Sequence, residues 1–80
     1  MKERITDKFY EIIDKYDEYG NTNDAVCDIK DFMNECNIKS YEINVDNDVY
    51  DNPGLDIYYI MLAWNDEDGL HLLGSTLTRI

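Results

Sequence analysis

The sequence predicts an α+β fold: a two-layer ααβββ sandwich, with two N-terminal helices packed on one face of a three-stranded antiparallel sheet. Three observations predict it. Apolar residues recur with a period near 3.6 up to Cys36, with one break at Gly20. From Tyr41 the period changes to 2. The polar stretches Asn47–Gly54 and Asn65–Gly69 then divide the second half into three strand-length runs. Two helices cannot cover both faces of such a sheet, so one sheet face is expected to stay partly open.

The first helix spans residues 3–19. Ile5, Phe9, Ile12, Ile13, Tyr16 and Tyr19 fall on one face at about 100° per residue. Glu3, Asp7, Glu11, Asp14 and Glu18 share another, edged by Arg4, Lys8 and Lys15. Glu11 and Lys15 stand in the favoured i, i+4 order. Gly20 stops the helix. Asn21, Thr22 and Asn23 offer N-cap oxygens for a second helix, whose apolar face is Ala25, Val26, Ile29, Phe32, Met33 and Cys36. Its acids, Asp24, Asp28, Asp31 and Glu35, lie within about 60° of one another and form a nearly straight stripe. Asn37 follows as a C-cap.

In the first strand Tyr41, Ile43 and Val45 alternate with Glu42, Asn44 and Asp46. Asn47–Gly54 is a polar loop holding the single proline, Pro53. Leu55–Trp64 is the most apolar segment and is expected to be a central strand covered on much of both faces. Asn65–Gly69 is a hairpin turn ending in glycine. Leu70–Ile80 is the third strand, with Gly74 as a bulge or close-packing point. Register decides which of Tyr58, Ile60, Leu62 and Trp64 the open face shows. If it shows Trp64 and Leu62, the patch calls for a partner, and a homodimer through that face is one expectation.

Eighty residues make a single domain, 1–80. A chain this short buries roughly 60% of its unfolded surface, leaving little room for a deep pocket. The 18 acids against 7 Lys and Arg give a formal charge of -11. The excess is uneven. Residues 1–16 sum to zero, and from Ser40 to Thr78 there are eight acids and no Lys or Arg. Such a charge disfavours nucleic acid and anionic membranes as direct partners. The nine Ile and seven Tyr set the chain apart from a disordered acidic tail. No apolar run reaches the roughly 18 residues of a membrane span, and the charged N-terminus does not read as a signal peptide. Cys27 and Cys36 lie nine residues apart on one helix, roughly 13 Å, too far to bridge, so both are expected reduced in an intracellular protein.

Few residues invite chemistry. Counted from Asn44 or from Asp46, the acidic loop fails the calcium-loop pattern, because Val49 or Tyr50 stands where Gly or an acid is needed. The single His and the Cys spacing do not make a zinc site. His71 directly follows the acidic turn and reads as a surface histidine. There is no nucleophile elbow or Gly-rich phosphate loop. Asp56 is the one acid inside an apolar strand; on an outward face it would be ordinary. The expectation is no enzyme, no cofactor and no metal.

The acids themselves remain. Along α-helical rise the second-helix stripe carries one charge every 5–6 Å or so, against one per about 3.4 Å in a nucleic-acid strand. That density suits a surface competing for Lys and Arg side chains. The expected partner-binding residues are Asp24, Asp28, Asp31 and Glu35, then Asp46, Asp48, Tyr50 and Asp51, then Asp66, Glu67 and Asp68. Tyrosines such as Tyr10 on the acidic side of the first helix, and Tyr50 in the loop, would stack on arginine.

A tiny, strongly acidic α/β domain without catalytic motifs resembles the small phage-encoded inhibitors that mimic nucleic acid, of anti-CRISPR or anti-restriction type. The resemblance rests on size, charge and the spaced stripe, with no sequence motif. It implies an inhibitor occupying the basic groove of a bacterial defence nuclease, in the cytoplasm of an infected or host bacterium. Two other readings compete. One is an immunity or antitoxin protein neutralising a basic nuclease toxin. The other is an acidic homo-oligomer whose charge serves solubility alone.

Overall fold

A computed structural model describes residues 2–17, 21–48 and 56–79. Its elements run α1 (Lys2–Tyr16), α2 (Thr22–Glu35), β1 (Tyr41–Asp48), β2 (Asp56–Asp66) and β3 (Gly69–Arg79). The architecture is the α+β one expected, with both helices on one face of an antiparallel sheet of order β1-β2-β3.

The apolar stripes set the helices. α1 buries Ile5, Phe9, Ile12 and Ile13, with Tyr16 packed at the margin of the core. Tyr19 and the expected stop at Gly20 lie outside the described residues. At α2 the N-cap is Asn21, whose side chain accepts the Asn23 N–H at 2.7 Å. Its C-terminus is a Schellman motif. Asn37 takes the left-handed conformation at φ 59°, its N–H donates to Asn34 O, and the Ile38 N–H donates to Met33 O. Cys36 is the C-cap itself and packs against the core, while Cys27 is exposed; both are free thiols. The helices run antiparallel. The Arg4 guanidinium lies 5.4 Å from the Phe32 ring centre near one end, and Tyr16 meets Asp28 near the other.

In the sheet, residues directly opposite each other share a face. The register Tyr41↔Trp64, Ile43↔Leu62 and Trp64↔His71, Tyr58↔Leu77 puts these side chains under the helices. Ile60, Leu62, Trp64 and Leu77 are each at most 1% exposed. Their neighbours in sequence point the other way: Tyr59 and Met61 are 41% and 47% exposed, and Leu70 and Leu72 are 62% and 70% exposed. This corrects one expectation and decides a question that rested on register. β2 is not covered on both faces, because both helices lie on one side and, among the described residues, nothing covers the other. The open face does not carry Trp64 and Leu62, whose cross-strand partners Tyr41 and Ile43 belong to the inward set of β1.

Three local expectations also change. The turn shrinks to Glu67–Asp68, with Asn65 and Asp66 inside β2. The Asp66 carboxylate accepts the Asp68 N–H at 2.8 Å, and Gly69 takes the left-handed φ of 114° that a side chain would resist. Asn47 and Asp48 complete β1 rather than opening a loop, and the remainder of that loop, with Pro53, lies outside the described residues. Gly74 pairs with Met61 in an unbroken ladder, and a Cβ there would stand 3.7 Å from Met61 Cγ, an ordinary contact. It is neither a bulge nor a close-packing point.

Candidate functional site

The α2 stripe forms because spacings of 4, 3 and 4 return Asp24, Asp28, Asp31 and Glu35 to one line. Asp24, Asp31 and Glu35 are exposed. Asp28 is different. It accepts the Tyr16 hydroxyl at 2.7 Å, and Lys15 Nζ lies 3.6 Å from the same carboxylate oxygen. The phenol of Tyr16 is pushed above its usual range, chiefly because Asp28 holds its proton. Lys15 is likewise raised, first by its contact with the Tyr16 hydroxyl and then by Asp28. Between the helices runs an open groove of ≈ 480 Å³ lined by Lys8, Glu11, Ile12, Lys15, Asp28, Asp31, Phe32 and Glu35. α1 thus presents cations to the stripe. Lys8 pairs with Glu11 at 3.4 Å, and Lys15 turns to α2 instead of making the expected pair with Glu11.

The acids of the sheet lie elsewhere. Asp46 is exposed and sits opposite Tyr59, so it belongs to the open face, and Glu42 shares that face four residues before it. Asp48 ends β1. Tyr50 and Asp51 lie outside the described residues. Glu67 and Asp68 are exposed at the β2–β3 turn. Asp66 turns inward instead. Its Oδ1 lies 2.9 Å from His71 Nε2, and the two side chains are 23% and 12% exposed. The His71 ring stacks against Trp64 with ring centres 5.1 Å apart. The hydrogen bond from His71 holds the Asp66 carboxyl below its ordinary range, with the Asp68 and Gly69 N–H groups adding to it against the cost of burial. The surface histidine expected at position 71 is therefore a half-buried one, because its cross-strand partner is Trp64 on the helix-facing side.

The expected partner-binding residues therefore divide. Asp24, Asp31 and Glu35 form one outward set on the helical layer. Asp46 lies on the opposite side of the sheet, with Glu67 and Asp68 at one end. A single flat partner cannot touch both faces. What such arrangements can do chemically is present carboxylates to Lys and Arg at a spacing set by the helix or the strand.

Sequence reasoning missed Glu42 and the apolar group Tyr59, Met61, Leu70 and Leu72. A signal was available: cross-strand partners share a face, so pairing Tyr41 with Trp64 would have sent Tyr59 and Met61 outward. Tyr10 is on the acidic side of α1 by helical spacing, but its hydroxyl is engaged within the chain. It extends to β3, where its hydroxyl donates to Gly74 O at 3.4 Å.

Among the described residues, no group of three or more His, Cys, Asp or Glu is placed to hold a metal ion, and no helix is long and apolar enough to cross a membrane. Comparison with protein-family models, with curated proteins and with solved structures finds no match to this chain.

Proposed function

We propose that this chain is an acidic protein-binding inhibitor that occupies a basic nucleic-acid-binding surface of a bacterial defence nuclease, in the manner of anti-CRISPR DNA mimics. On this reading it is not an enzyme, needs no cofactor and acts in the bacterial cytoplasm. The observation that carries the reading is the outward row of Asp24, Asp31 and Glu35 on a rigid helix, with Asp28 between them held by Tyr16 and Lys15. The Lys15–Asp28 contact is 3.6 Å long and its lysine is exposed, so a partner arginine can replace Lys15 at little cost. Asp24, Asp31 and Glu35 then face the partner directly, and Asp28, still held by Tyr16, adds its charge to the row. Arginine is the better competitor, since its planar fork takes a carboxylate in two hydrogen bonds.

The test is capture by tagged protein at low salt from lysates of bacteria carrying nucleic-acid defence systems, eluted in salt steps. A basic nuclease or CRISPR effector released by rising salt, and displaced by its own DNA or RNA, supports the mimic reading. The triple variant Asp24→Lys, Asp31→Lys, Glu35→Lys should lose that partner with its circular dichroism unchanged. A captured partner that keeps binding its nucleic acid in the complex would sink the proposal. A single small toxin released only by denaturant would favour the immunity reading.

A further inference from the structure

We infer that the open sheet face is the seat of a second copy of this chain, packed face to face about a two-fold axis parallel to the strands. The dimer would be a four-layer sandwich with both helical layers outside. The inference does not depend on the inhibitor reading, and it leaves the α2 stripe of each copy facing outward.

The composition of the face is the first reason. Tyr59, Met61, Leu70 and Leu72 are 41–70% exposed and form a contiguous apolar strip over β2 and β3. Glu42 and Asp46 border it on the β1 side alone. An exposed apolar strip of this extent, bordered by charge on one side, marks an interaction surface. The size is the second reason. Two strands of 11 residues and one of 8 give a face of about 36 by 14 Å, or about 1,000 Å² over both copies, the lower bound for a specific interface.

Both sheet edges carry features that disfavour strand pairing. Asn65 N–H donates to Ser40 O, and alternation along the antiparallel ladder then leaves the N–H and C=O of Leu70, Leu72, Gly74 and Thr76 on the outer edge of β3. Tyr10 holds that edge at its midpoint through Gly74 O. The outer strand β1 carries Glu42 and Asp46, charges that discourage edge pairing.

Charge then selects the axis. Two two-fold arrangements keep the sheets aligned about 10 Å apart. An axis perpendicular to the strands lays β1 on β1 and sets Glu42 and Asp46 against their own copies. An axis parallel to the strands lays β1 on β3. From Leu70 to Thr78, β3 carries no Asp, Glu, Lys or Arg, and His71 points to the helices. Glu42, Ala63 and Leu72 lie level across the sheet, so Leu72 of one copy meets Glu42 of the other.

Sedimentation velocity of the chain from 1 to 500 µM tests this. The expected result is a monomer–dimer equilibrium with Kd on the order of 10 µM, in keeping with the small area. It should tighten between 50 and 500 mM NaCl as the repulsion between two copies of charge -11 is screened. Leu72→Asp places an acid beside Glu42 twice per dimer and should raise Kd by roughly a hundredfold. Leu72→Lys places a cation there and should stay within about tenfold of the wild type, with a dimer that salt now weakens. Circular dichroism of both variants should match the wild type. A monomer at 500 µM would overturn the inference and leave the face to a partner of other chemistry. So would a dimer that survives Leu72→Asp, which must use another surface. Equal loss in both variants would overturn the axis.

Discussion

Ile60 and Met61 are adjacent on β2 and differ only in the face they point to. Ile60 is 0% exposed between the helices and the sheet, and Met61 is 47% exposed on the open side. Ile60→Ala removes buried carbon from a core whose neighbours, Leu62 and Leu77, are themselves 1% exposed, so the site collapses poorly and the cost is about 2–5 kcal/mol. The whole chain is worth only about 4–12 kcal/mol at 80 residues. Met61→Ala loses a side chain that is already half in water. About half of a full burial term, roughly 1 kcal/mol, is its ceiling. Urea unfolding read by the fluorescence of Trp64, the single tryptophan, resolves the difference. With a slope of about 1 kcal/mol/M, Ile60→Ala lowers the midpoint by about 2 M or more and Met61→Ala by about 1 M or less. Protein at about 1 µM keeps the open face clear of a second copy, below the Kd of order 10 µM inferred from its area. Equal losses would mean that both faces are covered. A larger loss at Met61 would mean that the register is slipped by one residue, which exchanges the two faces entirely.

Three further outcomes follow from the contacts. The folded Asp66 carboxyl titrates below its unfolded value of about 3.9, so the stability it contributes is complete above that pH and is lost as pH falls through the folded pKa. Melting temperatures of wild type and Asp66→Asn measured from pH 7 to pH 2 should therefore converge in acid, and a constant gap would contradict the His71–Asp66 geometry. In a spectrophotometric titration one tyrosine, Tyr16, should ionise above the ordinary range near 10, and Asp28→Asn should return it there. Asn37→Gly should hold or raise stability and Asn37→Ala should lower it by about 1 kcal/mol, because Asn37 sits at φ 59°; equal stability of the two variants by urea unfolding would contradict the Schellman cap.

The helices and the alternation of β1 were legible in the sequence because each carries a pattern of one period. Ile5, Phe9, Ile12 and Ile13 can share a face only in a helix, and Glu42 and Asp46 can avoid the core only in a strand. β2 was not legible in the same way. In Asp56–Asp66 both alternating sets are apolar, Tyr58, Ile60, Leu62 and Trp64 against Ile57, Tyr59, Met61 and Ala63, so period 2 cannot tell inside from outside. The answer resides in the register with β1, a long-range fact. The candidate site divides in the same manner. The α2 stripe is a local consequence of helical spacing and was readable. That Asp28 is held by Tyr16, Asp66 by His71, and Asp46 on the far side of the sheet are consequences of packing between elements.

The charge of the chain acquires a structure once the elements are assembled. The neutral first sixteen residues are not inert filler beside an acidic remainder. Arg4 covers the Phe32 ring and Lys15 reaches Asp28, so two of the four bases of α1 are turned toward α2. They offset part of the repulsion that would otherwise act along the stripe, where like charges at i, i+4 destabilise a helix. This lets α2 carry four carboxylates and still pack. Of the two contacts on Asp28, the one from Lys15 is the longer at 3.6 Å, while Tyr16 makes the short bond at 2.7 Å that keeps the carboxylate in place. A helix designed by charge alone would need no such tyrosine; its presence separates the carboxylate that anchors α2 to α1 from the three that are left to face outward.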